Sequence, residues 1–266
     1  MRLFLSPNEQ PTGDRRKHPE SGIINAEPMA LATGVDNATV CKVAPEASVT
    51  GSSNTTLSSS DPQAILKWEE SLIHGNPSSQ TAGEELDEGF STWEFDRICV
   101  VLGRGSKTSE ANLELCVEDR VPIVRRCSGG ASIVAGPGCL MYSVILSLDK
   151  RPDLRSIDAA HRFVMDRIRL ATWRLDFRVT LQGICDLTIE DRKFSGNALR
   201  YTRDWLLYHG TILYRFPIES ISRYLATPPR QPAYRSGRSH ADFLTNLECK
   251  PEALKQSLRE AWGLKQ

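Results

Sequence analysis

Two glycine-rich turns within one short stretch constrain this chain more than any other feature of its sequence. Residues 124–139, VRRCSGGASIVAGPGC, hold a Ser-Gly-Gly turn, a β-branched stretch and then a Gly-Pro-Gly turn. Glycine lets the backbone approach a ligand closely and present its N–H groups without a side chain in the way. The two arginines before the first turn suit an anion, because the planar guanidinium matches carboxylate and phosphate. The stretch therefore predicts a pocket for an anionic small molecule that becomes phosphorylated or adenylated.

The composition is that of an ordinary globular protein. The 266 residues carry 33 basic and 33 acidic side chains, so the formal net charge is zero, and 40% of the residues are hydrophobic. This balance indicates neither a nucleic-acid partner nor a charged membrane surface. The sequence has no run of about 20 apolar residues, so it predicts no membrane-spanning helix. The seven cysteines are odd in number and form no C-x-x-C pair, which favours free thiols in a reducing cytoplasm.

Two regions of the chain differ in character. Residues 1–60 lack periodic apolar positions and are rich in small polar residues towards their end. They are predicted to be disordered, because they cannot bury enough apolar surface to offset the entropy of ordering. Residues 61–266 are predicted to form one α+β domain with a mixed sheet flanked by helices, since strand and helix patterns mix without regular alternation.

Local patterns predict the elements of this domain. Asp61 and Pro62 are typical of a helix start, as N-cap and first helical residue. Periodicity predicts helices over 62–74, 109–119 (with Ser109 as cap), 156–171, 217–225 and 251–262. Strands are predicted over 97–103, 121–125, 139–148, 177–182, 186–190 and 211–216, and residues 75–89 are predicted to be a loop.

A second stretch adds two further motifs. Residues 183–213 read GICDLTIEDRKFSGNALRYTRDWLLYHGTIL. The Arg-Arg-x-Ser-Gly-Gly turn, the Asp-Leu strand with Asp-Arg-Lys-x-Ser-Gly-Asn-Ala, and the His-Gly-Thr-Ile-Leu segment together resemble the lipoate–protein ligase family, within the wider biotin/lipoate ligase group. Any one of these motifs alone would be weak evidence. All three motifs occur in the same order and spacing as in the family, which makes the resemblance specific. It covers residues 61–262.

The resemblance implies a fold and an activity. The fold would be that of the biotin/lipoate ligase catalytic domain, in a short form without a C-terminal accessory domain. The activity would be that of an ATP-dependent lipoate–protein ligase in the cytoplasm, using ATP and Mg²⁺. Lipoate, or octanoate in its place, would be activated as the acyl-AMP. The acyl group would pass to a lysine of a lipoyl domain, in a 2-oxoacid dehydrogenase or the glycine-cleavage H protein.

Site residues follow from the matched motifs. Lys193 is implied as the catalytic residue, because the matching family lysine contacts the acyl carbonyl and the phosphate of the adenylate, where negative charge grows. Asp186 is implied to take a Mg²⁺ ion, which one or two carboxylates and phosphate oxygens commonly hold; the alternative is an aspartate that caps local backbone. The residues implied in substrate and adenylate binding are Arg125, Arg126, Ser128, Gly129, Gly130, Ala131, Ser195, Gly196, Asn197 and Ala198.

Some side chains have two readings. His209 is expected to hold a turn rather than to act as an acid or base. The apolar Val134, Val144 and Leu146 either line a slot for an aliphatic chain or pack in the core. Three basic side chains near the C-terminal end also have two interpretations. They either contact an acidic partner surface or lie in a solvated loop with Ser239 as a helix cap, and they are Arg235, Arg238 and His240.

Two other functions remain open. An octanoyl or lipoyl transferase of the same fold would work without ATP through a cysteine thioester, with Cys185 or Cys127 activated by a nearby cation. A non-catalytic paralogue would only bind lipoate or a lipoyl domain; alanine at positions 131 and 135, where the family pattern has glycine and histidine, motivates this alternative. Biotin ligase is disfavoured, because GRGSK at 103–107 matches only part of the biotin loop.

Overall fold

The computed structural model describes residues 61–74, 88–228 and 230–264. All of them lie in the second of the two units into which the chain divides, Val43–Gln266. The predicted disorder of residues 1–60, and most of the loop predicted over 75–89, fall outside the described residues. Among the helices that are described, none is long and apolar enough to cross a membrane.

The described elements are six α-helices and nine β-strands. The helices are α1 Pro62–Ser71, α2 Leu113–Glu118, α3 Ile157–Trp173, α4 Glu219–Tyr224, α5 His240–Phe243 and α6 Pro251–Ala261. The strands are β1 Gly89–Trp93, β2 Cys99–Leu102, β3 Ile123–Arg125, β4 Ile133–Ala135, β5 Cys139–Ser147, β6 Thr180–Gln182, β7 Asp186–Ile189, β8 Arg192–Tyr201 and β9 Trp205–Leu213. Short 3₁₀ turns span Thr108–Glu110, Pro152–Arg155 and Ala233–Arg235.

Two sheets organise these strands. The larger is antiparallel, with the order β1-β5-β9-β8-β7-β6. The smaller has the order β3-β2-β4, with β2 parallel to β3 and antiparallel to β4. This confirms the predicted α+β class with a mixed sheet arrangement and flanking helices, because the strands follow one another without the repeated crossovers of a doubly wound sheet.

The core consists of two main clusters. In the first, β5 side chains such as Val144 and Leu146 pack with α3 and α6, and Trp262 closes the cluster after α6. Val144 and Leu146 therefore belong to the core. The second cluster joins the two sheets and includes Val134 from β4 and Met141 from β5. It lies beside the glycine motifs, so the region between the sheets is where a ligand pocket can form.

Helix α1 begins as its sequence predicts. The side chain of Asp61 accepts a hydrogen bond from the Gln63 N–H at 3.0 Å, and Pro62 occupies the first turn. The predicted start of the next helix is wrong: α2 begins at Leu113 and is capped by Asn112, whose Oδ1 accepts from the Leu115 N–H. Ser109 lies instead in the preceding 3₁₀ turn. A side-chain cap three residues further along thus decides where the helix starts.

The strands around the Lys193 motif differ most from the sequence prediction. The strand predicted over 211–216 is wrong in its bounds, since β9 runs over Trp205–Leu213. Neither β8 nor β1 was predicted. Strand β8 contains lysine, serine, glycine and asparagine, which disfavour strands, yet it pairs with both β7 and β9. Cross-strand pairing on two sides overrides its weak β propensity.

Replacing Leu146 by alanine is expected to lower the free energy of unfolding by about 2–5 kcal/mol, because the side chain is fully buried in the core. Chemical denaturation measures this change. Leu181→Ala, at an exposed position of β6, is the control and should change stability by less than about 0.5 kcal/mol. Equal effects in the two variants would contradict the assignment of Leu146 to the core.

Candidate functional site

A cavity of about 370 Å³ opens between the two sheets and brings the glycine motifs together. One part of its wall is the turn after β3, with Arg126, Gly130 and Ala131. The facing wall is β8, with Lys193 and residues 195–198. The apolar part of the lining comes from β2, β4, β5, β9 and α4 and contains Val101, Ile133, Val134, Met141, Leu213, Ile221 and Leu225. Two polar regions distant in sequence therefore share one apolar cleft.

Lys193 is held by an acidic partner at the edge of this cavity. Its Nζ lies 2.8 Å from Oδ1 of Asp186, at the start of β7. The hydroxyl of Tyr234 donates to the other carboxylate oxygen of Asp186, also at 2.8 Å. Both members of the ion pair are partly shielded from solvent, with side-chain exposures of 26% for Lys193 and 13% for Asp186. The carboxylate therefore fixes where the ammonium group can reach.

The glycine that follows Lys193 makes room for the ammonium group. A Cβ at Gly196 would lie 2.9 Å from both Cε and Nζ of Lys193, closer than van der Waals contact allows. The strand is also irregular here: Leu187 pairs with Ser195 and Thr188 pairs with Lys193, so β8 carries one extra residue, Phe194. Such a bulge redirects side chains near sites. Glycine at 196 is thus required for the position of Lys193.

Asn197 is fixed by close packing of β8 on β9. Its Oδ1 accepts a hydrogen bond from the buried Tyr142 hydroxyl, and its Nδ2 donates to the carbonyl oxygen of Cys185. A Cβ at Gly210 would lie 1.8 Å from the Asn197 Oδ1. The glycine of the His-Gly-Thr motif is therefore needed for the amide of Asn197 to fit between the strands.

Arg126 lies beneath the Ser-Gly-Gly turn. It is only 7% exposed, and burial lowers the pKa of its guanidinium to about 10. Four hydrogen bonds compensate: to Ser128 Oγ at 3.0 Å, to the carbonyls of Gly129 and Ala131 at 2.7 and 2.8 Å, and a longer one to the Val101 carbonyl. Arg126 thus stabilises the turn from inside.

The N–H groups of the turn are left available. The carbonyl groups of Gly129 and Ala131 accept from Arg126, and in the described part of the chain the N–H groups of Gly129, Gly130 and Ala131 donate to no acceptor. Gly130 has a φ of 88°, which favours glycine. Successive unpaired backbone donors beside a cavity form a binding site for an anion.

A buried relay connects this turn to helix α1. The Ser128 hydroxyl donates to Nε2 of His209 at 2.5 Å, and Nδ1 of His209 donates to Oε1 of Glu69 at 2.8 Å, an assignment of protons that gives both ring nitrogens a partner. Glu69 is 1% exposed and also accepts from the Ser143 hydroxyl. The relay places a carboxylate and a guanidinium at opposite ends of one chain of hydrogen bonds. Its contacts fit the structural role expected for His209.

Arg125 takes a different position from Arg126. It does not line the cavity, and its Nη1 donates to the carbonyl oxygens of Gly103 and Ser106 at 2.6 and 2.8 Å. The 103–107 loop in turn packs on the glycine turn, where a Cβ at Gly103 would lie 2.1 Å from the Gly130 carbonyl oxygen. Arg125 thus braces the turn through the neighbouring loop.

Neither candidate cysteine nucleophile is activated. Burial raises the pKa of Cys185 to about 11 and that of Cys127 to about 12. Both thiols are free, as are the other four cysteines in the described ranges. A neutral thiol is a weak nucleophile, so the geometry disfavours a thioester at either position.

Sequence reasoning missed several residues of this site. Glu69 could have been noticed, because it shares the apolar face of α1 with Ile65 and Ile73 at four-residue spacing. Tyr142 and Tyr234 give no such signal. The two expectations for Arg235, a partner surface or a solvated loop, are wrong, since it is buried and lines the cavity.

The neighbours of Arg235 complete this wall. His240 also lines the cavity. Arg238 donates to the carbonyl oxygens of Tyr234 and Asp191, so it binds the segment to the β7–β8 turn. The expected cap is present: the Ser239 Oγ accepts from the Asp242 N–H at 3.2 Å. The segment after α4 is therefore part of the site and not a separate surface.

Comparison with known proteins identifies the family. Residues 61–259 match the family model described as the lipoyl protein ligase A/B catalytic domain. The chain belongs to this family. The match confirms the resemblance seen in the three motifs, and it begins at Asp61, the N-cap of α1.

Individual relatives agree with the family. The "Probable lipoate-protein ligase A" of Mycoplasma genitalium is 29% identical over 150 residues, 56% of this chain and 44% of that protein. The chain spans less than half the length of the first curated relatives that it matches. These relatives are therefore longer proteins that share one region with this chain.

Solved structures share the fold. A lipoate–protein ligase A bound with ATP superposes with a TM-score of 0.63 at 17% identity, covering 76% of this chain and 80% of that one. A bipartite lipoate–protein ligase from Thermoplasma acidophilum, described with its E2 lipoyl domain, gives 0.62 at 17% identity with the same coverage. The predicted biotin/lipoate ligase fold is confirmed.

Alkylation of the native protein is expected to be slow at Cys185 at pH 8, because a pKa raised to about 11 leaves roughly a thousandth of the thiol ionised. The rate should rise about tenfold per pH unit until about pH 11 and then level off, since the thiolate is the reactive form. Iodoacetamide labelling read by peptide mass spectrometry measures this. Labelling complete within minutes at pH 7 would contradict the buried, neutral thiol.

Proposed function

We propose that this chain is an ATP-dependent lipoate–protein ligase, which activates lipoate as lipoyl-AMP and transfers the lipoyl group to a lysine of a lipoyl domain. One observation carries the proposal. Lys193 lines the same cavity as Gly130 and Ala131, whose N–H groups have no acceptor in the described part of the chain, and much of the remaining wall is apolar. The apolar wall suits the aliphatic chain of an acid, and the polar groups suit the phosphate of a nucleotide.

The apolar cleft between the sheets suits the acyl chain. Val134 and Met141 are buried members of the second core cluster and also line the cavity. A chain lying between them would leave water as it binds, and each methylene contributes about 0.8 kcal/mol. Its carboxylate would then reach the polar end at Lys193. Lipoate and octanoate share this chemistry, and we assign lipoate on the family match.

Activation requires positive charge where the new bond forms. A carboxylate oxygen attacks the α-phosphorus of ATP, the bond to the β-phosphate breaks, and pyrophosphate leaves. Negative charge on the α-phosphate oxygens increases during this step. Lys193 and the N–H groups of Gly130 and Ala131 would bind these oxygens with geometry fixed in advance, which is how such sites stabilise a transition state. The ATP bound to the structural relative supports the use of this nucleotide.

Transfer uses the same lysine. The amine of the acceptor attacks the acyl carbonyl, the carbonyl oxygen becomes negatively charged, and AMP leaves with the oxygen that joined it to the acyl group. Lys193 would stabilise that oxygen. The acceptor is a lipoyl domain, of a 2-oxoacid dehydrogenase or of the glycine-cleavage H protein, and the structural relative described with its E2 lipoyl domain supports this class of partner. We place the reaction in the cytoplasm, where the free thiols stay reduced.

Asp186 serves to position Lys193 in this scheme. Its fit to a Mg²⁺ ion is poor, because Lys193 and Tyr234 already occupy both carboxylate oxygens. Any Mg²⁺ that takes part would be bound by the nucleotide phosphates.

Pyrophosphate exchange tests the proposal. Purified protein with lipoate, ATP and labelled pyrophosphate should exchange label into ATP, and exchange should require lipoate. Lys193→Ala should reduce the rate at least about 100-fold, the size expected for losing a main charge-stabilising group. Lys67→Ala, at an exposed position of α1, is the matched control and should retain the wild-type rate. Failure of exchange with both lipoate and octanoate would refute the ligase proposal.

Gly196→Ala tests whether the position of Lys193 matters. The new methyl group would displace the ammonium group, so the exchange rate should fall at least about tenfold. Stability should change by no more than about 1 kcal/mol, because the displaced atoms are the flexible end of a side chain. Gly89→Ala, where an added Cβ meets nothing within 4 Å, is the control. A wild-type rate in Gly196→Ala would show that catalysis does not depend on this geometry.

A further inference from the structure

Arg235 is a buried cation without an anionic partner in the described part of the chain. It is 3% exposed, and its Nε donates to the Arg238 carbonyl at 2.9 Å. Its guanidinium carbon lies 4.9 Å from the centre of the Phe243 ring. Its Nη2 is buried and donates to no acceptor among the residues that the structure describes. Burial, together with nearby Arg238, lowers its pKa. A buried charge in this state is costly unless an anion binds to it.

The other strongly buried arginines are satisfied differently. Arg126 uses its donors on the glycine turn. Arg167 lies against the rings of Phe163 and Trp262, is not among the residues that line the cavity, and donates to the Phe163 carbonyl. Arg235 combines burial, an unused donor and a position in the cavity wall. An anion bound in the cavity beside Arg235 would supply the acceptor that this guanidinium lacks.

The place of Arg235 in the fold relates it to Lys193. The preceding residue, Tyr234, donates its hydroxyl to Asp186, the carboxylate that holds Lys193. The same short 3₁₀ turn thus contains Tyr234, which contacts the Lys193–Asp186 ion pair, and Arg235, whose Nη2 has no acceptor among the described residues. His240 lines the same wall. An anion at Arg235 would therefore lie close to, but separate from, an anion at Lys193.

We propose that Arg235 binds the β- and γ-phosphates of the nucleotide and stabilises pyrophosphate as it leaves. This rests on the proposed ligase function, which brings a nucleoside triphosphate into this cavity. Lys193 and the 129–131 turn face the reacting carboxylate and α-phosphate, so the phosphates beyond them need a second cationic site. A guanidinium fork matches phosphate oxygens in shape and charge.

The chemistry gives Arg235 a part in one half of the reaction only. When the carboxylate oxygen bonds to the α-phosphorus, the bond from that phosphorus to the oxygen shared with the β-phosphate breaks. Its electron pair stays on this oxygen, so negative charge grows on pyrophosphate, next to Arg235. During transfer to the acceptor lysine, AMP is the leaving group and pyrophosphate has already gone. Arg235 should therefore matter for activation and not for transfer.

Binding of inorganic pyrophosphate gives the first test and needs no catalysis. Calorimetry on the full-length chain with pyrophosphate and MgCl₂ should show Arg235→Gln at least about tenfold weaker than wild type. Affinity for AMP should stay within about twofold. Arg230→Gln, which removes the same charge from an exposed position of the same segment, should behave as wild type. Unchanged pyrophosphate affinity in Arg235→Gln would overturn the proposal, whether or not the chain is a ligase.

Half-reactions give the second test. Arg235→Gln should lower lipoate-dependent pyrophosphate exchange at least about tenfold. It should transfer the acyl group from supplied lipoyl-AMP to hydroxylamine at the wild-type rate. Equal losses of rate in exchange and in acyl transfer would overturn the proposal. An effect confined to the KM for lipoate would also overturn it, because Arg235 would then bind the lipoate carboxylate. If Arg235→Gln fails to fold, Arg235→Lys replaces it in every assay. Arg235→Lys keeps the positive charge but lacks the planar guanidinium fork.

Discussion

The burial of Arg126 is the constraint on which the rest of the site depends. A guanidinium at 7% exposure needs acceptors, and the carbonyl groups of the Ser-Gly-Gly turn supply them. The carbonyl groups of Gly129 and Ala131 are thereby held at the arginine, and the N–H groups of Gly129, Gly130 and Ala131 donate to no acceptor in the described part of the chain. The Ser128–His209–Glu69 relay extends this network to α1, so the first described helix helps to fix the ligand-binding backbone. The Arg126 guanidinium thus stabilises the turn, and the proposed ligand would bind to backbone N–H groups of the turn instead of to this guanidinium.

Two glycines position neighbouring polar side chains by leaving space for them. Gly196 gives the Lys193 ammonium its space, and Gly210 does the same for the Asn197 amide. In both cases the glycine φ is ordinary, so the requirement is for volume and not for backbone freedom. Gly196 makes room for a side chain of its own strand β8, whereas Gly210 on β9 makes room for Asn197 of the paired strand β8, so the third motif supplies space that the second motif uses.

The sequence predicts the local features well, because their causes are local. Asp61 caps α1 through its own side chain, and the apolar run at β2 is buried as its composition indicates. The relay could not be predicted, since Glu69 and His209 are 140 residues apart and meet only after α1 packs on the sheet. Strand β8 was missed because pairing on both sides, a tertiary effect, overrides its polar composition. Both sequence expectations for Arg235, a partner surface or a solvated loop, leave its side chain exposed, whereas in the fold it is buried against the Phe243 ring.

The central claim is that the cavity joins an acid to the α-phosphate of ATP. Lipoate labelled with ¹⁸O in its carboxylate, incubated with the protein, ATP and hydroxylamine as the acceptor amine, tests it most directly. The account predicts that AMP from each turnover carries one ¹⁸O atom, because the oxygen that attacks the α-phosphorus leaves with AMP when the acyl group is transferred. Acyl transfer that produces unlabelled AMP, or no AMP at all, would contradict an acyl-adenylate and with it the assignment of Lys193 and the glycine turn.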